Sequence, residues 1–277
     1  MAWVDYCKQF IPLIKQEYSR RMGKPCDIDR PRTFTEKIQW MKVYDSTFTK
    51  SYCTNKITLH QFCKRILNND LCIPIVSTCR STTELDFNTL PKQCVIKCNH
   101  GCKMNYIVHD SSRINIASCK QLLSNWLQQD FSMAYGYELH YKLIPHEILV
   151  ETYMNDGHDD LIDYKFYCFN GTPLFCQVIQ DRHRNMTLSH YDVNWNYAPK
   201  YDWVEYASRS DVRRPKLYSD MIAISSQLAQ PFKFVRVDLY EINHRIYLGE
   251  LTFTPNSGYH KFRTTSTDSE LGELLKL

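Results

Sequence analysis

Two carboxylates, Asp238 and Glu250, stand in the stretch Phe232 to Gly258, FKFVRVDLYEINHRIYLGELTFTPNSG, where a sheet would normally carry apolar side chains. Both halves alternate with the period of a strand, and Asn243-His244 with its neighbours supplies turn residues, so the stretch reads as a β-hairpin. In the first strand Val235, Val237 and Leu239 share one face and Arg236, Asp238 and Tyr240 the other. In the second, Glu250 and Thr252 alternate with Leu251 and Phe253. A three-residue connection, Asn243 to Arg245, sets Asp238 opposite Glu250 and Arg236 opposite Thr252; a two-residue loop shifts the register and spoils that pairing. Side chains so paired have Cβ atoms about 4.5–5.5 Å apart, where like charges are destabilising. A hard divalent cation such as Mg²⁺, which takes carboxylate oxygens and keeps positions open for phosphate, would turn the repulsion into a binding site. The alternative is that Arg236 neutralises one carboxylate on a wet sheet face.

Other charged groups sit in apolar surroundings. Residues 91–109, PKQCVIKCNHGCKMNYIVH, read as strand, tight loop with Gly101, and strand, with Lys97 inside the first strand. A buried lysine is costly unless paired, so Lys97 calls for an anion, and the loop that follows could hold phosphate oxygens on its backbone; a solvent-facing lysine on an edge strand is the other reading. HEILVETYM reads as a strand ending at Glu151, and DYKFYCF as another in which Asp163, Lys165 and Tyr167 share a face, with Asn170-Gly171 turning into PLFCQVIQ.

The elements that must position these groups follow from periodicity and punctuation. The first ~45 residues read as helical, with Phe10, Leu13, Ile14 and Tyr18 on one stripe, and Thr33-Phe-Thr-Glu36 is a capping box that starts a second helix near Phe34. Asn55-Lys56 precedes a helix over Thr58 to Leu67, and LCIPIV gives a short strand. Residues 111–137 read as helix and loop, 191–203 as an aromatic loop, 221–230 as a helix, and 268–277 as a short terminal helix. Trp3, Phe10 and Leu13 with nearby lysines allow peripheral membrane contact, although the spacing favours an ordinary packed helix.

Composition bounds the function. At 277 residues, 43% hydrophobic and with 8 glycines, the chain is globular and enzyme-sized. No apolar run approaches the ~20 residues that span a bilayer, and the start of the chain is too charged for a signal peptide, which places it in the cytoplasm. A net charge of +4, scattered, argues against nucleic acid. The 12 cysteines include no C-x-x-C pair, and Cys94, Cys98 and Cys102 should not converge on a metal across a strand and a turn, so reduced, mostly buried thiols are expected.

Lys56, VIKCNHG, the Glu151 strand, DYKFYCFNG and FVRVDLY…YLGELTFTPNSG, with FTEKIQW before them, resemble in this order the ATP-grasp family, in its teichuronopeptide and surface-polysaccharide biosynthesis branch, over roughly residues 30 to 270. The resemblance implies an α+β ATP-grasp fold: a helical extension over 1–50, a small subdomain with the phosphate loop over 51–148, and a C-terminal subdomain with the Mg-binding hairpin over 149–277. It further implies that Lys56 and Lys97, each on a small strand, contact ATP phosphates, that Leu149 to Tyr153 holds adenine with Glu151 near the base or ribose, and that Asp163 binds ribose. By the same resemblance Lys165 contacts phosphate, Arg236 steadies the γ-phosphate or transition state, and Asp238 and Glu250 hold Mg²⁺. Thr252 stands where the family commonly has an Asn ligand, and Asn256 is a candidate substitute. HGCKMN departs from the branch's small-residue loop, and Asn55 stands where an Asp is common.

The implied chemistry is carboxylate activation as an acyl phosphate followed by amine attack, joining an amino acid to a uronic acid or other carboxylate of a cell-surface glycan or glycolipid. A glycan kinase on the same ATP site, a glycosyltransferase and a non-catalytic module are the rivals.

Overall fold

Thr33 opens its helix as the capping box requires: its hydroxyl accepts the Glu36 N–H at 3.3 Å, and Glu36 Oε2 accepts the Thr33 N–H at 3.1 Å. The computed structural model describes residues 2–155, 157 and 160–277. Five helices precede the first strand: α1 (Trp3–Lys8), α2 (Ile11–Met22), α3 (Phe34–Tyr44), α4 (Phe48–Thr54) and α5 (Leu59–Leu67). The sequence FTKSYCT of α4 has no apolar stripe to announce it; Thr47 caps its start and Lys50 reaches Asp45 at 2.6 Å. Trp3 stacks on Tyr6 and Phe10 lies against Tyr137, while Leu13 is exposed. Among the described residues no helix is long and apolar enough to cross a membrane.

The first sheet contains β1 (Ile75–Cys79), β2 (Cys94–Cys98), β3 (Asn105–Val108) and β4 (Ile148–Thr152) in the antiparallel order β1-β4-β2-β3. The strand expected at LCIPIV begins only at Ile75, after Pro74. Cys94, Ile96, Cys98, Ile148 and Val150 form the apolar face, packed with Cys119 and Leu123 of α6 (Ile116–Gln128) and Phe131 of α7 (Phe131–Ala134). Lys97 and Glu151 occupy the opposite face.

The second sheet, also antiparallel, has the order β7-β6-β5-β8-β9, from β5 (Asp163–Phe169), β6 (Thr172–Gln180), β7 (Thr187–Asp192), β8 (Phe234–Ile242) and β9 (Arg245–Thr252). Helix α8 (Tyr218–Ala229) starts earlier than its apolar run suggests, and α9 (Thr267–Leu274) closes the chain. Central β5 is buried along its whole length. Its Tyr164, Phe166 and Cys168 join Val235, Val237 and Leu239 against α8 and α5. Its other face is divided: Tyr167 and Phe169 meet Phe234 and Phe34, while Asp163 and Lys165 continue into an ionic zone.

FTEKIQW earns its specificity through contacts distant in sequence. Gln39 Nε2 donates to the Ser257 and Gly258 carbonyls at 3.2 and 3.3 Å, and buried Lys42 donates to Ser257 O at 2.8 Å and Gly136 O at 2.6 Å. The helix thereby holds the turn that follows the hairpin. Gly258 has φ +71°, and a Cβ there would come within 2.5 Å of Gln39 Nε2 and 2.7 Å of Ile38 Cγ2. Backbone strain plus overpacking should make Gly258→Ala about 2–4 kcal/mol less stable by urea unfolding; a loss below about 0.5 kcal/mol would remove the close-contact argument.

The hairpin has the expected pairing by an unexpected route. Asn243 and His244, at φ +50° and +61°, form a two-residue turn with Ile242 opposite Arg245. That turn alone would misalign the carboxylates. A bulge at Gly249 adds the missing residue, so Leu239 faces Leu248 but Asp238 faces Glu250 and Arg236 faces Thr252. Gly249 admits the Tyr240 ring, whose Cε2 would lie 2.7 Å from an added Cβ.

Candidate active site

Neighbouring strands bring one residue each into a polar row across the second sheet: Glu250 on β9, Asp238 on β8, Lys165 on β5, Gln177 on β6 and His190 on β7 are successive register partners. Alternation makes the row. Each strand turns its apolar residues to the α8 face, so the intervening polar ones must meet on the other.

Arg236 closes the acidic end. Its Nε and one terminal nitrogen hold both Asp238 oxygens at 2.7 Å, and the same nitrogen reaches Glu250 Oε1 at 2.9 Å and Thr252 Oγ1 at 3.0 Å. Thr252 in turn donates to Glu250 Oε1 at 2.8 Å. The guanidinium thus bridges both carboxylates, where the alternative reading of the hairpin has it neutralise one, and Asp238 is not on a wet face: its side chain is 2% exposed against 34% for Glu250. Lys165 Nζ bonds Asp238 and also lies 3.2 Å from Asp163, which accepts from Arg182 at 2.6 Å and from the Tyr240 hydroxyl at 3.1 Å.

The charges polarise one another. Burial raises the Asp238 pKa against the pull of Arg236 and Lys165. Burial acts the same way on Glu250, but Lys165, Arg236 and Lys56 outweigh it and hold this carboxyl well below its usual range. Burial opposes the Arg236 charge, yet Asp238 keeps the guanidinium firmly protonated. All donor atoms at Asp238 and Glu250 are oxygen, and the more open Glu250 takes its bonds on Oε1; this set fits a hard divalent cation.

Lys97 approaches from the first sheet and Lys56 from the turn before α5. Lys97 lies on β2 between β3 and β4, not on an edge, and pairs with Glu151 at 2.5 Å. Lys56 is not on a strand, contrary to the resemblance: the chain there turns between α4 and α5, because the Asn55 side chain accepts the Ile57 N–H and stops the helix. Its Nζ donates to the Gly101 carbonyl at 2.6 Å, tying the turn to the 99–104 loop. Burial lowers the Lys56 pKa, and Glu250, Lys97 and Glu151 all contribute to its field, so groups from both sheets act at one place. Asn256 is bonded through Nδ2 to the Tyr259 carbonyl at 3.1 Å; among the described residues no hydrogen bond joins it to Asp238 or Glu250. Beyond β4, Ile107, His109, Tyr153, Asp160, His183 and Arg184 line a cavity of 390 Å³.

Residues 36–276 match the family model described as TupA-like ATPgrasp. The chain belongs to this family. Among solved structures, D-alanine–D-alanine ligase from Helicobacter pylori is 13% identical, with 81% of this chain and 59% of that one covered at a TM-score of 0.46. The Bacillus anthracis enzyme complexed with ATP is 17% identical over 74% and 55% of the two chains, with a TM-score of 0.40. The ATP-grasp ligase PsnB complexed with minimal precursor is 8% identical over 84% and 62%, with a TM-score of 0.44. The chain therefore spans little more than half the length of these structures. No curated protein matches it.

The sequence of this TupA-like ATP-grasp chain conceals the far half of the row. His190 Nδ1 and Asp202 Oδ1 are 2.9 Å apart, and His190 Nε2 meets Gln177 Nε2 at 3.0 Å, all buried. Burial lowers the His190 pKa despite Asp202. The loop expected over 191–203 begins inside β7, and nothing local in the sequence marks Ser189-His190 as strand. Glu138, buried and bonded by the Thr254 hydroxyl, is a second unannounced carboxyl, its pKa raised by burial.

Proposed function

We propose that the chain is an ATP-dependent carboxylate–amine ligase acting through an acyl phosphate. The observation that carries this reading is the Arg236–Asp238–Glu250–Lys165 cluster: two carboxylates held together beside two cations, at the edge of a face that Lys56 also approaches.

In this reading Asp238 and Glu250 hold Mg²⁺, with Thr252 orienting Glu250 and Asn256 as a further ligand. The metal would supply Lewis-acid stabilisation of charge on the transferred phosphoryl group. Arg236, now bonded to both carboxylates, turns to the γ-phosphate, and Lys165, Lys56 and Lys97 steady the remaining phosphate charge. Adenine lies along Leu149 to Tyr153, where the 390 Å³ cavity beside Tyr153 has room for a planar base, with Glu151 near the base or ribose and Asp163 on ribose hydroxyls. The branch resemblance alone directs the acceptor towards a uronic acid or other carboxylate of a cell-surface glycan and the donor towards an amino acid.

The test is ADP release from the full chain with candidate uronic acids, with and without amino acids. A ligase releases ADP only when carboxylate and amine are both present and yields an amide by mass spectrometry. Release with a hydroxyl acceptor and no amine would identify a kinase instead, and failure to bind Mg-ATP would remove both.

A further inference from the structure

Three potential metal ligands, His60, Asp70 and Cys72, gather outside the ionic cluster, with Cys63 beside one of them. His60 and Cys63 stand three apart on α5 and so on one side of the helix. Asp70 and Cys72 lie two apart on the segment leading to β1. One ligand atom each from His60, Asp70 and Cys72 lies within 4.8 Å of the other two, with His60 Nδ1 and Asp70 Oδ2 2.8 Å apart. The Cys63 thiol adjoins that of Cys72.

The surrounding bonds orient these donors. The Cys72 N–H holds Asp70 Oδ1 at 3.0 Å, which leaves Oδ2 for His60, and the Leu71 N–H points to Cys63 Sγ at 3.3 Å. The Leu71 carbonyl accepts the Leu248 N–H of β9 at 2.8 Å, so the segment is anchored. Both thiols are buried, whereas His60 and Asp70 are 18% and 39% exposed, and a groove of 540 Å³ opens at Asn69, Asp70 and Leu71. A metal can therefore enter from solvent while its sulfur ligands stay shielded.

We propose that His60, Cys63, Asp70 and Cys72 form a zinc site. Two thiolates, an imidazole and a carboxylate make a four-donor set that suits tetrahedral Zn²⁺ and repels Mg²⁺, which prefers oxygen. Binding releases the two thiol protons to solvent, and the imidazole keeps its proton on Nε2 while Nδ1 ligates. With four protein ligands the site is closed and structural. It clips α5, which follows the Lys56 turn, to the segment bonded to β9, which carries Glu250.

The experiment is metal analysis and Zn²⁺ titration of the reduced full chain against a chromogenic chelator, with Co²⁺ as the spectroscopic probe. The expected result is one zinc per chain, an apparent Kd raised about 100-fold or more in Cys72→Ser and in Cys63→Ser, and a thiolate-to-cobalt charge-transfer band that weakens in both. Asp70→Asn and His60→Gln, at an exposed and a half-buried position, repeat the affinity loss without disturbing the core, and far-ultraviolet circular dichroism checks that all variants are folded. Zinc affinity unchanged in the folded variants overturns the proposal, as does a wild-type chain that binds no zinc or that carries a Cys63–Cys72 disulfide in its place.

Discussion

Asp238→Asn should abolish Mg-dependent binding of a non-hydrolysable ATP analogue and also destabilise the fold, whereas Glu250→Gln should abolish the binding with a smaller loss of stability. The two carboxylates face each other, but their surroundings differ. Asp238 is almost fully buried and is bonded by Arg236 and Lys165, themselves buried; removing its charge leaves two cations without their main partner. Breaking a buried ion pair at one end costs on the order of 3–5 kcal/mol, because the remaining charge stays desolvated. Glu250 is a third exposed, and water can take over part of its role. If both carboxylates hold metal, either variant loses at least about 100-fold in metal-dependent affinity, since each supplies a ligand charge. Calorimetric titration with and without Mg²⁺, beside urea unfolding, separates the effects. Metal-dependent binding that survives in a folded Glu250→Gln chain would return the cluster to a structural salt bridge.

The second large effect is acid unfolding well above the carboxylate range. His140 and His260 are buried with pKa values lowered to about 3, and His100 to about 4; burial is the leading cause in each. Lys50 and Lys42 add to it at His140, Arg236 at His260 and His146 at His100. His190 shifts in the same direction. These histidines are neutral when folded and take up protons near pH 6.5 when unfolded. The unfolded state therefore binds more protons below pH 6.5, and stability falls as pH drops from there towards the folded values. Each histidine contributes a slope of up to about 1.4 kcal/mol per pH unit, so their combined effect should unfold the protein cooperatively near pH 5. Among the described residues His260 Nδ1 has no hydrogen-bond partner, and the ring packs among Phe34, Trp203 and Phe262, so His260→Phe should fold at pH 7 and move the acid midpoint down. Circular dichroism against pH tests this. A midpoint near pH 3 that ignores the substitution would assign acid unfolding to carboxylates instead.

What was legible in the sequence depended on local signals. Thr33 and Glu36 fixed the start of α3 because a capping box closes within four residues. DYKFYCF and RVDLYEI announced strands by their period, and Lys97 announced a partner because a lysine among apolar neighbours is costly alone; the partner is Glu151. The Asp238–Glu250 pairing was also reached from sequence, but through a longer loop than the chain uses. A bulge and a turn residue are interchangeable in a count along the chain, so only the backbone at Gly249 distinguishes them.

The sequence by itself therefore determined individual strands, the start of α3 and the ionic face of the hairpin, since alternation and capping are properties of neighbouring residues; the α+β ATP-grasp fold came from the resemblance that its motifs carry. Tertiary structure alone decided that Arg236 bridges both acids, that Lys56 sits on a helix–helix turn, that His190 and Asp202 extend the row, and that His60, Asp70 and Cys72 meet. Each of these depends on where separate segments come to lie against one another, and burial and pairing set the charge of such groups only after the chain has brought them together.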